Sequence, residues 1–106
     1  DMFKSEGNSL PTPSLIISQV CKFYSVDENV LRGTLKNKGV AEARQMAMYL
    51  IRKLTNLSLP DIGKEFAKDH STVLYAIRKV EVALKNGDKN IQENIQTITA
   101  NINACL

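Results

Sequence analysis

Four isoleucines stand at positions 91, 95, 98 and 102, a spacing that turns them onto one face of a helix. A stripe that regular must pack against another surface, and in a chain of 106 residues that surface is first of all the chain's own core. The same period recurs upstream. Val73, Ala76, Ile77, Val80 and Leu84 share one face, as do Val40, Ala43, Ala47, Leu50, Ile51 and Leu54, and as do Leu15, Ile16, Gln19, Val20 and Phe23. No segment carries a convincing strand pattern. Aromatic residues make up 6% of the chain and Trp is absent, so Leu, Ile, Val, Met and Ala must fill the interior, which suits packed helices better than a sandwich. The expected fold class is all-α, a compact domain of about six helices.

The residues between these stripes predict where each helix begins and stops. Thr12 and Pro13 supply an N-cap and a first-turn proline for a helix running to about Tyr24. Asp27 caps a short helix through Leu31, which Gly33 ends. A basic loop over 32–39 precedes the longest helix, expected from Val40 to Asn56. Ser58 caps the next, with Pro60 and Asp61 in its first turn and Leu59, Ile62 and Phe66 as its apolar residues. A tight Ala67-Lys68 turn leads to Asp69, the N-cap of the following helix, and Gly87-Asp88 separates that helix from the isoleucine-striped one. Residues 1–11 are expected to be a disordered lead-in or linker, and residues 12–106 the folded domain.

Two helices separated by a few residues near position 67 match a helix-turn-helix, in which the N-terminal end of the second helix enters the major groove of duplex DNA. Asp69, His70, Ser71 and Thr72 stand at that end. Their short polar side chains suit base edges, and Lys64 and Lys68 beside them suit phosphates. Val73 and Ile77 belong to the buried stripe and orient the helix. The net charge is only +3, but Arg32, Lys36, Lys38, Arg44, Arg52 and Lys53 are accompanied between 32 and 53 by a single acid, Glu42, a field that attracts a polyanion. The same residues also fit a solvated cationic face and a helical hairpin whose polar cap merely satisfies a helix end. A protein-interaction module, with the isoleucine stripe facing a partner, is the rival from another class. One His and two cysteines without metal-type spacing are thin material for catalysis or zinc binding, so no enzyme, cofactor or metal is expected. The isolated Cys21 and Cys105 read as reduced thiols. With no apolar run long enough to span a bilayer and no leader, a soluble cytoplasmic protein is expected.

Three segments are specific enough to compare: 43–50 (ARQMAMYL), 54–63 (LTNLSLPDIG) and 69–81 (DHSTVLYAIRKVE). Together they resemble the C-terminal DNA-binding domain of DnaA-type bacterial replication initiators, over roughly residues 14–106. The resemblance implies a Trp-repressor-like helical domain that binds double-stranded DNA sequence-specifically at the short asymmetric boxes of replication origins, as a monomer. It puts Asp69, His70, Ser71 and Thr72 at the bases, Lys36 in the neighbouring minor groove, Arg44 and Gln45 against DNA, and Arg52 with Leu59-Pro60 along the phosphate backbone. On this reading His70 and Thr72 carry discrimination, whereas Lys36, Arg44 and Arg52 carry mainly affinity. It also implies an ATPase module in a full-length parent, although no Gly-x-x-x-x-Gly-Lys-Ser/Thr occurs in this sequence. The chain departs from the family at three places. Ala67 and Lys68 stand where two glycines and an arginine are usual, Thr34 and Leu35 dilute the basic loop, and Glu42-Ala43 replace a frequent basic residue or proline. The lead-in 9–13 differs from the usual linker, so the same domain in a transposase-related or paralogous protein is the alternative.

Overall fold

Every helix among the described residues starts on a side chain that accepts a hydrogen bond from its own first turn, which relieves one of the backbone donors a helix leaves unpaired. The computed structural model describes residues 10–35 and 37–106. Its helices in chain order are α1 (Pro13–Tyr24), α2 (Glu28–Arg32), α3 (Lys38–Leu54), α4 (Leu59–Phe66), α5 (His70–Lys85) and α6 (Lys89–Ala104). No strand occurs among the described residues. Their caps are Thr12, Asp27, Asn37, Ser58, Asp69 and Asp88, with acceptor distances from 2.8 to 3.2 Å.

The boundaries differ from expectation at the longest helix. Asn37 accepts the Val40 amide at 2.9 Å, so α3 begins at Lys38, inside the expected basic loop. At its other end Thr55 turns its hydroxyl back to donate to the Ile51 carbonyl at 2.6 Å and takes an extended backbone, stopping the helix at Leu54 instead of Asn56. The short helix α2 extends one residue past Leu31, to Arg32. Of the expected lead-in, Leu10 and Pro11 enter without regular structure and residues 1–9 lie outside the described residues.

Packing places α3 at the centre, with α1 and α5 against it, α2 beside it and α4 docked on α5. The last helix lies across α1 and α5. Its stripe is used within the molecule: Ile98 and Ile102 are fully buried, and Ile91 and Ile95 pack half-buried at the edge of the core. Tyr24 reaches the same helix through its hydroxyl, which accepts from Asn94 Nδ2 at 3.5 Å. Among the described residues no helix is long and apolar enough to cross a membrane.

This division of the isoleucine stripe predicts unequal sensitivity along one helix. Ile98→Ala is expected to cost about 3 kcal/mol, the usual range for emptying a closed core site. Ile91→Ala is expected to cost about 1 kcal/mol, because its site is partly open to water already. Urea unfolding of the two variants checks this, and equal losses would show that α6 is not seated as described.

Candidate nucleic-acid interface

The turn between α4 and α5 is short enough to force its backbone. Only Ala67, Lys68 and the cap Asp69 separate the two helices, and Ala67 closes α4 in the left-handed region with φ 54°. The Lys68 amide donates to the Gly63 carbonyl at 2.9 Å. Gly63 has no alternative: a Cβ there would lie 2.3 Å from the Lys68 carbonyl oxygen. A left-handed alanine over a glycine thus closes the turn, and α5 packs on α4.

From that turn α5 emerges with its first residues uncovered. Asp69, His70, Ser71 and Thr72 are all exposed, whereas Val73 is 0% exposed and Ile77 is buried, so the inward stripe locks the orientation of the outward end. Asp69 caps the helix by accepting the Thr72 amide at 2.8 Å. That amide, followed by the Thr72 hydroxyl, holds the Asp69 carboxyl below its ordinary range. The helix end therefore presents short polar groups at the positive pole of the helix dipole, an arrangement that favours hydrogen-bonding and anionic partners.

A cleft of about 460 Å³ opens beside this helix end. Its walls bring together Gln45 of α3, Lys68 of the turn, Thr72 and Tyr75 of α5 and Thr34 of the loop before α3. Met48 and Ala76, both buried, lie at its base. Arg44 also borders the cleft, but the sequence counts it with the basic field open to solvent, and the structure folds it inward. It is 8% exposed. Its Nε donates to the Leu31 carbonyl at 2.8 Å, and its Nη2 donates to those of Leu35 at 3.0 Å and Val30 at 3.2 Å. Burial lowers the pKa of this guanidinium, which stays charged all the same. Arg44 consequently pins the end of α2 and the following loop to α3. Lys36, the expected minor-groove residue of that loop, lies outside the described residues.

The remaining predicted residues lie beyond the cleft. Arg52 is exposed and seven residues after Gln45, which puts both on one face of α3 about two turns apart. Its Nη1 donates to the Leu57 carbonyl at 3.0 Å and so braces the turn before α4. Leu59 is half-buried and Pro60 exposed at the start of α4, where Ser58 accepts the Asp61 amide. The expected basic field is partly used inside the protein. Arg32 bonds Glu28 and both the side chain and the carbonyl of Glu65, and Lys53 sits over the Tyr49 ring. Lys64 lies 3.8 Å from Asp61. Sequence reasoning missed Tyr75 and Thr34 as lining residues. For Tyr75 a signal existed: it stands three residues after Thr72, off the buried stripe, in a chain with few aromatics. Cys21 is buried and Cys105 exposed, and both are free thiols. Among the described residues no cluster of three or more His, Cys, Asp and Glu could hold a metal ion.

The sequence profile described as "Bacterial dnaA protein helix-turn-helix" matches residues 13–80. The chain is 44% identical over 103 residues to the chromosomal replication initiator protein DnaA of Corynebacterium aurimucosum, a match that covers 96% of this chain and 19% of that protein. It thus spans about a fifth of the length of such relatives. Among solved structures, one described as the crystal structure of a DNA replication initiation factor superposes with a TM-score of 0.72 at 35% identity, over 85% of this chain and 29% of the other. A second, the replication initiator DnaA bound to AMPPCP and single-stranded DNA, gives a TM-score of 0.67 at 35% identity, over 85% of this chain and 28% of the other.

Two outcomes follow from the geometry of the turn and the loop. Ala67→Gly is expected to stabilise the fold by about 1 kcal/mol, since glycine carries no penalty at a positive φ. A thermal melt checks this, and an unchanged or lower midpoint would mean that the turn is not held left-handed. Arg44→Leu strips the Leu31 and Leu35 carbonyls of their donor, while that of Val30 keeps the Gly33 amide, and is expected to cost about 3 kcal/mol in the same melt. Arg44→Lys should recover little of that loss, because an ammonium cannot reproduce the guanidinium fork.

Proposed function

The chain belongs to the bacterial DnaA family, as its helix-turn-helix domain, and on that footing we propose that it binds double-stranded DNA sequence-specifically. The observation that carries the proposal is the uncovered N-terminal end of α5, with four short polar residues outward and Val73 and Ile77 locked inward. A recognition helix needs that combination: base-reading groups free to move into a groove, on a backbone too firmly seated to yield. Asp69, His70, Ser71 and Thr72 meet base edges in the major groove, and α4 crosses the phosphate backbone near Leu59 and Pro60. Gln45 and Arg52 meet phosphates from α3, and Lys68 meets them from the turn. The loop before α3, with Lys36, lies at the adjacent minor groove. Arg44 contributes through the loop it holds, by way of the Val30, Leu31 and Leu35 carbonyls.

In this reading the domain performs the box-recognition step of a replication initiator, as a cytoplasmic monomer on an asymmetric site. Nucleotide hydrolysis belongs to an ATPase module in a full-length parent. The domain itself binds and orients DNA and makes or breaks no bond.

The test is a titration of the purified chain against an initiator-type box, a scrambled duplex and the box sequence as a single strand, at several salt concentrations. The expected result is tight binding to the duplex box that weakens steeply with salt. Equal affinity for box and scrambled duplex would overturn sequence specificity, and tighter binding to the single strand would overturn the duplex reading. Thr72→Ala is expected to cost about 1–3 kcal/mol on the box and much less on scrambled DNA. Arg52→Ala should weaken both duplexes alike and flatten the log–log salt slope by about one.

A further inference from the structure

Two clefts of similar size, each about 460 Å³, flank α3, and their linings differ in one respect. The cleft toward α6 carries both signs of charge, with Lys38 and Lys79 opposed by Glu42 and Asp88. The cleft toward α5 has no carboxylate among its lining residues, and its side-chain polar groups can all donate: Thr34, Arg44, Gln45, Lys68, Thr72 and Tyr75. Its base is formed by buried Met48 and Ala76, which lets a polymer backbone approach without displacing a polar side chain. A groove with two cations and several groups able to donate, with no carboxylate to repel and a small apolar floor, complements a chain of anionic oxygens.

Tyr75 is the prominent wall of that cleft. It is 66% exposed, the most exposed aromatic among the described residues, although Val73, Ala76, Ile77 and Val80 around it are buried. Standing three residues after Thr72 and four after Ser71, it lies on their face of α5, about 4.5 Å further along the axis from Thr72. A helix that enters a groove by its N-terminal end places its first turn at the base edges and its next turn at the rim, where the sugar–phosphate backbone runs. Between α5 in one groove and the loop before α3 in the neighbouring one, a single strand of the duplex must pass, and the donor-lined cleft lies between those two elements.

We propose that this cleft seats the phosphodiester strand that separates the two grooves, and that Tyr75 is an additional DNA-contact residue whose hydroxyl donates to a phosphate of that strand. The inference rests on the duplex-binding reading above. It assigns to Tyr75 a contact with affinity but no sequence content, since phosphate contacts position a protein without reading bases.

The experiment is fluorescence anisotropy of the whole chain on the box and scrambled duplexes, with Tyr75→Phe as the variant. Removing only the hydroxyl from an exposed ring leaves the thermal midpoint unchanged. Affinity is expected to fall about tenfold on both duplexes. A duplex in which one phosphate at the rim is replaced by a neutral methylphosphonate should weaken the unaltered chain, and on that duplex Tyr75→Phe should bring no further loss. If the unaltered chain binds the box and Tyr75→Phe binds it equally well, the Tyr75 contact is overturned while the duplex-binding reading stands. A loss confined to the box would also overturn it, because Tyr75 would then be reading a base. If the unaltered chain binds neither duplex, the duplex-binding reading fails and this inference fails with it.

Discussion

Burial of α3 on almost every side is the constraint on which the rest of this structure depends. From Met46 to Ile51 every residue is buried, so this helix has no solvent face over nearly two turns and must be enclosed by its neighbours. The small Ala43 and Ala47, both fully buried, let other helices approach closely, and Met46 and Met48 fill what remains. The enclosure also shapes the surface. Met48 and Ala76 are core residues and the base of the donor-lined cleft at once, so the contact that seats α5 also sets the distance between α5 and the loop before α3. Polar side chains reach solvent from α3 only beyond that stretch, the nearest being Gln45 before it and Arg52 after it.

Around that centre the fold is held by an accounting of backbone groups at helix ends. Each N-terminus has a capping side chain, which fixes where a helix begins without reference to distant residues. The carbonyl end of α2 is completed from further away. Val30 and Leu31 carry carbonyls among the last four of that helix, which have no partner within it; the Arg44 fork serves both together with Leu35 of the loop, and the Gly33 amide shares that of Val30. A cation at a helix C-terminus is also favoured by the helix dipole. Arg32 adds a second tie, from the same helix to Glu65 of α4. The loop before α3 and the helix-turn-helix are therefore joined through arginines that composition alone counts as free surface charge.

The two views of the chain agree where interactions are short-range. Caps at Thr12, Asp27, Ser58 and Asp69, the proline-led first turns of α1 and α4, and the division of α5 into a buried stripe and an uncovered polar end were all legible. Each depends on residues within one or two turns. The disagreements arise where a local signal has two readings. Asn37 looked like part of a basic loop and is a cap, and Thr55 looked like helix and ends it by turning its hydroxyl back on Ile51. Arg44 looked like part of the basic field, because the carbonyls it serves lie on a different element.

By itself, then, the sequence determined that this chain is a set of short capped helices, with one pair in helix-turn-helix spacing and a polar helix end at 69–72. Periodicity and capping act over a few residues, and the sequence states them directly. Only the tertiary structure decided which cations face outward, that Gln45, Lys68, Thr72 and Tyr75 share one cleft, and that this cleft is free of carboxylates. Those properties depend on how far apart separate helices come to rest. That distance is set by the packing of buried side chains around α3, a sum over many contacts that no local pattern in the chain expresses.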